Sequence, residues 1–334
     1  MNEITTTDNY NYHLRINKHK INIIDNLISS KNDINSILDI GCNSGILSYK
    51  YKDNYDVTGM DLSTKEELKL PDDYNFLHCD ISKIKFSEKK YDLIYFLSVY
   101  HHLLGKYGLK NADKIFYRIL LQSKYLLFDI GNTSEIQRSE HNWFIKQKEI
   151  FKNEKELLDH FDLPYKILGK WNVAGGVRTI VLFESRHFEK NIKILKKYKR
   201  LIGSEYRDKG LIEEVDWSKY TTNNNNNKII PGKIYEKRLF YKLNIGSLNF
   251  FAKEINETNS NEYKNTINIY KNNDHDNLAF FFGIYNKKFL LLEWIDNLKF
   301  IKIIKNIPYK TQDNFVEIQL FESNGKKYYL DFER

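Results

Sequence analysis

The chain has 334 residues, enough for two cores, with 41% hydrophobic and 15% aromatic residues and a net charge of +8. Two cysteines, Cys42 and Cys79, exclude a disulfide framework and a cysteine-built zinc site, so a reducing, cytoplasmic setting is expected. The first thirty residues lack an apolar signal core and no apolar run reaches 18 residues, so neither export nor a membrane span is expected.

Residues 13–30 read as a helix, with Leu14, Ile21, Ile24, Leu27 and Ile28 on one side. Strand-like runs follow at Ser36–Ile40, Asp56–Met60, Asn75–His78, Tyr91–Leu97, Tyr125–Ile130 and Arg178–Phe183. Helical patterns lie between several of them, clearest at Asn111–Gln122 and Glu154–Phe161. This alternation predicts an α/β, doubly wound, Rossmann-like sheet over residues 1–188. Residues 189–202 read as a basic helix with Ile192, Leu195, Tyr198 and Ile202 as its apolar stripe. The Asn homopolymer Asn223–Asn227 then marks a linker ending near residue 228.

Residues 229–334 change character. Six strand-like runs, Tyr235–Leu243, Leu248–Ile255, Leu278–Tyr285, Phe289–Trp294, Phe315–Phe321 and Lys327–Phe332, surround one helix near Asn259–Tyr270. Hairpin-like joins at Asn244–Ser247 and Asn324-Gly325 predict a smaller, mostly antiparallel α+β domain. Most of the charge surplus lies in this part: residues 1–188 hold 26 Lys/Arg against 25 Asp/Glu, and 189–334 hold 26 against 19. Such a surplus suits a polyanionic partner, or a solvated lysine-rich face.

The strongest local signal is I-L-D-I-G-C-N-S-G (Ile37–Gly45), an apolar strand running into a glycine-rich turn that should open a helix over Ile46–Lys50. Glycines at the carboxyl end of such a strand let a ligand approach the backbone, here at Gly41 and Gly45. Twenty-two residues after Asp39, the second strand ends in Asp61, where a carboxylate can accept from both ribose hydroxyls. The third ends in His78-Cys79-Asp80-Ile81, where a carboxylate and an N–H can read an adenine edge. A dinucleotide fold wants G-x-G-x-x-G for its pyrophosphate, yet Asn43 stands where the second glycine would be. A phosphate-free nucleoside cofactor suits the looser pattern better.

Together, L-D-I-G-C-N-S-G (Leu38–Gly45), G-M-D-L-S (Gly59–Ser63), H-C-D-I (His78–Ile81) and Y-D-L-I-Y-F-L-S (Tyr91–Ser98) resemble the class I S-adenosylmethionine (SAM)-dependent methyltransferases. The resemblance covers about residues 35–185 and implies their seven-stranded sheet with SAM as cofactor. It places Asp39 and Gly41 at the methionine end, Cys42, Asn43 and Gly45 in the same cofactor-binding loop, Asp61 on the ribose, Leu62, Asp80 and Ile81 about the adenine, and Leu97 near the sulfonium. Tyr10, Tyr12 and Arg15 precede the first strand, where this fold often closes over SAM.

The acceptor should sit after the fourth strand, at Ser98-Val99-Tyr100-His101-His102. A phosphate acceptor needs no base and a hydroxyl gains from one, so His101 or His102 is the candidate base or acceptor-binding group. Tyr12, Arg15, Ser98 and Tyr100 are further substrate candidates, and Trp143 and residues 131–147 follow the fifth strand, which by position alone points them to the same pocket. No cluster of metal ligands is visible at zinc spacing. The run L-S-V-Y-H-H-L-L (Leu97–Leu104) resembles the methyltransferase of bacterial O-antigen chain-terminating enzymes, in which it is fused to a kinase-like domain. That implies a phosphorylated glycan, or another polyanion, as acceptor. The RNA 5′-phosphate methyltransferases share the G-C-N-x-G loop and imply RNA instead. A third expectation, of another class, is a non-catalytic SAM-binding scaffold.

In the last part, F-F-A-K-E-I (Phe250–Ile255) resembles the third strand of a kinase amino-terminal lobe, with Lys253 as its lysine and Glu262 as the partner on the next helix. Asp313 and Asp331-Phe332-Glu333 stand where a catalytic-loop aspartate and a metal-binding motif would fall. Gln312, Ile318 and Glu333 depart from that pattern, so an inactive, kinase-lobe-like accessory domain is expected.

Overall fold

The computed structural model describes residues 18–83, 89–131, 140–173, 176–201, 212–213, 237–254, 261–272, 278–285, 289–296, 299–304 and 317–333. The chain divides into two units, Met1–Asn191 and Ile192–Arg334.

The first unit begins with α1 (Lys18–Ser29), whose buried residues Lys20, Ile23, Ile24, Leu27 and Ile28 recur at helical spacing. One of that stripe, Lys20, is a cation. Seven strands follow: β1 (Ser36–Ile40), β2 (Asp56–Asp61), β3 (Phe76–His78), β4 (Tyr91–Leu97), β5 (Ser123–Asp129), β6 (Tyr165–Val173) and β7 (Gly176–Glu184). They form one sheet in the order β3-β2-β1-β4-β5-β7-β6. The first five run parallel; β7 is antiparallel to β5, and β6 to β7. Helices α2 (Tyr100–Tyr107), α3 (Leu109–Gln122), α4 (Asn142–Ile150), α5 (Glu154–His160) and α6 (Arg186–Asn191) complete the unit.

The centre of the sheet is covered on both faces, which is why β4 and β5 are apolar without alternation. Along β4, Leu93, Tyr95 and Leu97 join a core with Ile23, Ile24 and Leu27 of α1. The intervening Phe96 packs against Phe128, which meets Tyr100, Phe116, Phe161 and Phe183. Phe116 stacks on Phe161 with centroids 3.8 Å apart. Truncating such a ring to alanine costs about 3–5 kcal/mol.

The expected helix after Gly45 is not formed: turns lead into a single 3-10 turn at Tyr49–Tyr51. The cause is Ser48, whose buried hydroxyl is drawn inward to Asp39 Oδ2 (2.6 Å) and Tyr74 Oη (2.6 Å). Side-chain bonds of this kind compete with a regular helix.

The second unit holds a six-stranded antiparallel sheet in the order β12-β13-β11-β10-β8-β9. Its strands are β8 (Lys193–Leu201), β9 (Ile212–Glu213), β10 (Lys237–Ile245), β11 (Leu248–Glu254), β12 (Phe281–Tyr285) and β13 (Phe289–Glu293), with α7 (Asn261–Asn272) between β11 and β12. A separate meander joins β14 (Lys299–Ile304), β15 (Glu317–Ser323) and β16 (Lys326–Glu333). Two hairpins turn as their residues suggest: Gly246 has φ 52°, and Asn324-Gly325 have φ 51° and 77°.

Two expectations for this unit are corrected. Residues 193–201 are not part of a basic helix but the strand β8, paired along its length with β10 from Asn244↔Lys193 to Lys237↔Leu201. Ile194 and Leu195 are 64% and 50% exposed, so the apolar stripe marks no core-facing helix, and strand pairing overrides local periodicity. Asp331-Phe332-Glu333 is not a metal-binding loop either. It lies within β16, with Phe332 opposite Ile318 of β15. Gln312, Asp313 and the Asn tract fall outside the described residues.

Candidate active site

The parallel strands bring their carboxyl ends to one edge, and the strand order reverses between β1 and β4. Ligands of open α/β sheets settle at such a switch point. A cavity of about 760 Å3 opens there, within the usual ligand-site range of about 300–1,000 Å3.

The loop after β1 is held in a left-handed conformation at three of five residues: Gly41 (φ 71°), Asn43 (φ 46°) and Gly45 (φ 69°). Gly41 N–H and Cys42 N–H both donate to Met60 O, at 2.8 and 3.0 Å, tying the loop to the end of β2. A Cβ at Gly41 would stand 2.6 Å from Val99 Cγ2, so only glycine fits. Asp61 fixes the other side: Oδ2 accepts from Asn43 N–H (2.9 Å) and Oδ1 from Ser63 N–H (3.0 Å). A carboxylate has about four acceptor sites, so two backbone bonds leave capacity for ribose hydroxyls.

Not every sequence-derived site residue reaches the cavity. Gly41, Asn43, Asp61, Leu62, Asp80, Ile81, Leu97, Ser98, His101 and His102 line it. Asp39, Cys42 and Gly45 support the loop from beneath and do not appear in its wall. Burial pushes the Asp39 carboxyl up to about 6, against the opposing hydrogen bond from Ser48. Burial likewise pushes the Cys42 thiol well above its ordinary range, which rules out a reactive thiolate there.

Tyr100 is a correction. It is fully buried, donates to Asp113 Oδ1, and packs edge-on against Phe116, Phe128 and Phe161. Because β4 is covered on both faces, the first turn of α2 sends this ring into the core while His101 and His102 meet the cavity. Tyr10, Tyr12 and Arg15 lie outside the described residues.

At the β3 end, burial opposes ionisation of Asp80, but hydrogen bonds from Ser82 Oγ (2.7 Å) and N–H (2.9 Å) outweigh it and hold the carboxyl below its ordinary value. Leu62 is 62% exposed beside it, an apolar side chain left for a ligand to cover.

Beyond β4, Ser98 adopts φ 61° and donates through its N–H and Oγ to Asp129 Oδ1. Asp129 is wholly buried and also accepts from Trp171 Nε1 (2.9 Å), with Lys20 Nζ at 3.6 Å. Desolvation lowers the Lys20 pKa despite that carboxylate, and Arg178 adds repulsion. Arg178 Nη1 donates to Ser98 Oγ at 2.8 Å, and Arg178 itself borders the cavity. His101 is 1% exposed, and its ring lies 4.3 Å from His102 and 4.5 Å from Trp143.

Sequence reasoning missed Ser44, Tyr107 and Arg178, all of which line the cavity. Ser44 stood inside the recognised loop and could have been included. Arg178 carried no signal, because β7 returns antiparallel from far along the chain. Among the described residues no cluster of three or more His, Cys, Asp or Glu could hold a metal, and no helix is long and apolar enough to cross a membrane.

SAM fits this site on the structure's own terms. Ser44 Oγ is buried with no hydrogen-bond partner in the wall of the cavity, a group awaiting a polar ligand. The bare Gly41 backbone, the Asp61 carboxylate and the exposed Leu62 match an amino-acid end, a ribose and a base.

Sheet order, loop and cavity together give the first unit the architecture of the class I SAM-dependent methyltransferases, with SAM as the cofactor its cavity suits. In agreement, residues 38–128 match the family described as a methyltransferase domain. No curated protein sequence matches the chain. Among solved structures, the chain is similar to the bifunctional kinase-methyltransferase WbdD, at 15% identity and a TM-score of 0.41, over 83% of this chain and 62% of that one. It is also similar to the plantazolicin methyltransferase BpumL in complex with SAH, at 20% identity and a TM-score of 0.36, over 49% of this chain and 81% of that one. The chain thus spans less than two thirds of the length of that WbdD chain.

Proposed function

We propose that the first unit transfers a methyl group from SAM to an oxygen acceptor, a phosphate or hydroxyl group of a glycan, in the cytoplasm. The observation that carries this reading is the division of one cavity into two ends. Its acidic lining residues, Asp61, Glu67 and Asp80, lie at or after the ends of β2 and β3, with Lys69 among them and Lys106 acting on Asp80, whereas Ser98, His101 and His102 follow β4 and Arg178 comes from β7. Bound SAM supplies an electrophilic methyl carbon. Asp61 takes the ribose hydroxyls, Leu62 and Ile81 cover the adenine, and Ser44 with the Gly41 backbone receives the methionine end. The remaining task is to position an acceptor and exclude water, which His101, His102, Ser98 and Arg178 serve from the opposite wall.

The resemblance of Leu97–Leu104 to O-antigen chain-terminating methyltransferases favours a glycan, and the cationic end of the cavity favours a phosphate. An RNA phosphate or ribose is the alternative acceptor, and a SAM-binding scaffold the alternative of another class. The second unit serves as an accessory binding domain. Its Lys253 is buried in the middle of a sheet, and the motif that would hold a metal is part of a strand.

The test is transfer of label from methyl-labelled SAM to a phosphate-terminated oligosaccharide and to its dephosphorylated form. His101→Ala and His102→Ala should lower turnover with SAM affinity near parental. Loss of SAM binding in both variants would make the histidines structural and sink this assignment.

A further inference from the structure

The last residue of α2, Tyr107, reaches the residues that follow β3. Its Oη donates to Asp80 Oδ2 at 3.4 Å and lies 3.0 Å from Ser82 Oγ, and Tyr107, Asp80 and Ile81 share the cavity wall. The backbone of Tyr107 is itself pinned. Gly108 closes the helix in a left-handed conformation (φ 77°) with its N–H on Leu104 O, and Asn111 Nδ2 donates to Tyr107 O at 3.1 Å.

The two oxygens of the Asp80 carboxylate are unlike. Oδ1 accepts from Ser82 N–H at 2.9 Å and from Ser82 Oγ at 2.7 Å, whereas among the described residues Oδ2 has the long bond from Tyr107 alone. A carboxylate offers about four acceptor sites, so Oδ2 keeps room for a donor brought by a ligand. The single hydrogen of the Ser82 hydroxyl is committed to Oδ1. That leaves the Tyr107 hydroxyl to set the rotation of the carboxylate, a soft torsion that its own chemistry does not fix. Lys106 attracts the same carboxylate, with its Nζ 4.9 Å from the Tyr107 ring centre, so an untethered carboxylate has a competing partner.

We propose that Tyr107 is a positioning residue that aims Asp80 Oδ2 into the cavity, and that its hydroxyl thereby makes the site selective for a nucleoside base with an exocyclic amino group. This rests on SAM occupying the β2 and β3 end of the cavity. An amino N–H donates to the ionised oxygen, whereas a base with hydrogen at that position offers it nothing. Tyr107 stands 27 residues from Asp80 in the chain, so this selectivity belongs to the packing of α2 against the turn after β3 and to no local motif.

The experiment is calorimetric titration of the intact chain with S-adenosylhomocysteine (SAH) and with its analogue carrying hydrogen in place of the 6-amino group. The parent should favour SAH at least about tenfold, the range of a charge-assisted hydrogen bond. Tyr107→Phe keeps the ring and loses the hydroxyl. It should bind the analogue as the parent does and SAH less well, so that the preference falls below about threefold. If Tyr107→Phe does not fold, Ser82→Ala removes the hydroxyl that stands between Tyr107 and Asp80 and should lower the preference in the same direction. Equal weakening of both ligands in Tyr107→Phe would overturn the proposal, because a tyrosine that only shapes the wall affects them alike. An unchanged preference in Tyr107→Phe would overturn it as well, as would a parent that binds the two ligands equally. Failure of the parent to bind SAH would sink the methyltransferase reading itself.

Discussion

Asp61→Ala should act on the cofactor and on the loop that receives it. The carboxylate accepts from Asn43 N–H at 2.9 Å and from Ser63 N–H at 3.0 Å, so its removal loosens the Asn43 corner of the glycine-rich turn, which Gly41 and Cys42 N–H still tie to Met60 O. A hydrogen bond to a charged group contributes about 1.5–3 kcal/mol, so losing the ribose contact alone should weaken SAH about 10- to 150-fold. The two backbone bonds enlarge that loss, because the turn must be re-ordered before SAH can bind. Asp61→Asn separates the parts. Its single carbonyl oxygen can satisfy one of the two backbone donors, while its NH2 faces the other, so it should fall close to Asp61→Ala rather than to the parent. Calorimetric titration with SAH measures the affinity, and thermal melting with and without SAH measures the loop cost separately. The parent should gain about 2.7 kcal/mol of stability at a hundredfold excess of SAH over its Kd, and the variants should gain far less at the same concentration. SAH affinity within twofold of parental in Asp61→Ala would refute the reasoning.

Asp39 gives a pH signature. Burial pushes its carboxyl up to about 6 from an ordinary value of 3.8, so its contribution to stability is complete below about pH 4 and is lost as pH rises through 6. The change is about 3 kcal/mol, and Asp39→Asn should flatten the melting-temperature profile between pH 4 and 6.5; an unchanged profile would contradict the burial argument. Gly41→Ala places a methyl 2.6 Å from Val99 Cγ2 in a left-handed residue, and should cost about 2–5 kcal/mol of stability by chemical denaturation along with SAH binding. Tyr100→Phe leaves Asp113 short of a buried partner and should cost about 1–3 kcal/mol, yet leave SAH affinity parental because the ring is outside the cavity. A selective loss of SAH binding there would restore Tyr100 to the site.

What the sequence made legible follows from period and position. The strands β1 to β5 are short apolar runs, and the first three end in or are followed by residues that suit a nucleoside cofactor, so Gly41, Asp61 and Asp80 could be named before their geometry was known. The end proposed for the acceptor was half legible: His101 and His102 follow β4 directly, but Gly131, which donates to His101, and Arg178 come after β5 and on β7. No local pattern marks Arg178, since its meaning comes from Ser98 and Asp129 across the sheet. Tyr100 misleads for the complementary reason: adjacency to a site says nothing about which way the first turn of a helix faces. β8 shows the same limit in the second unit, where residues with a helical-looking apolar spacing form a strand that pairs with β10.

Methyl transfer to oxygen can be read from the product itself. The intact chain is incubated with SAM and separate pools of phosphorylated glycan, dephosphorylated glycan and 5′-phosphorylated RNA, and each product is analysed by fragmentation mass spectrometry. The expected result is one added methyl group on a phosphate oxygen of the phosphorylated glycan, dependent on Asp61. SAM binding with no methyl gained by any pool would contradict it and leave a scaffold that holds the cofactor without using it.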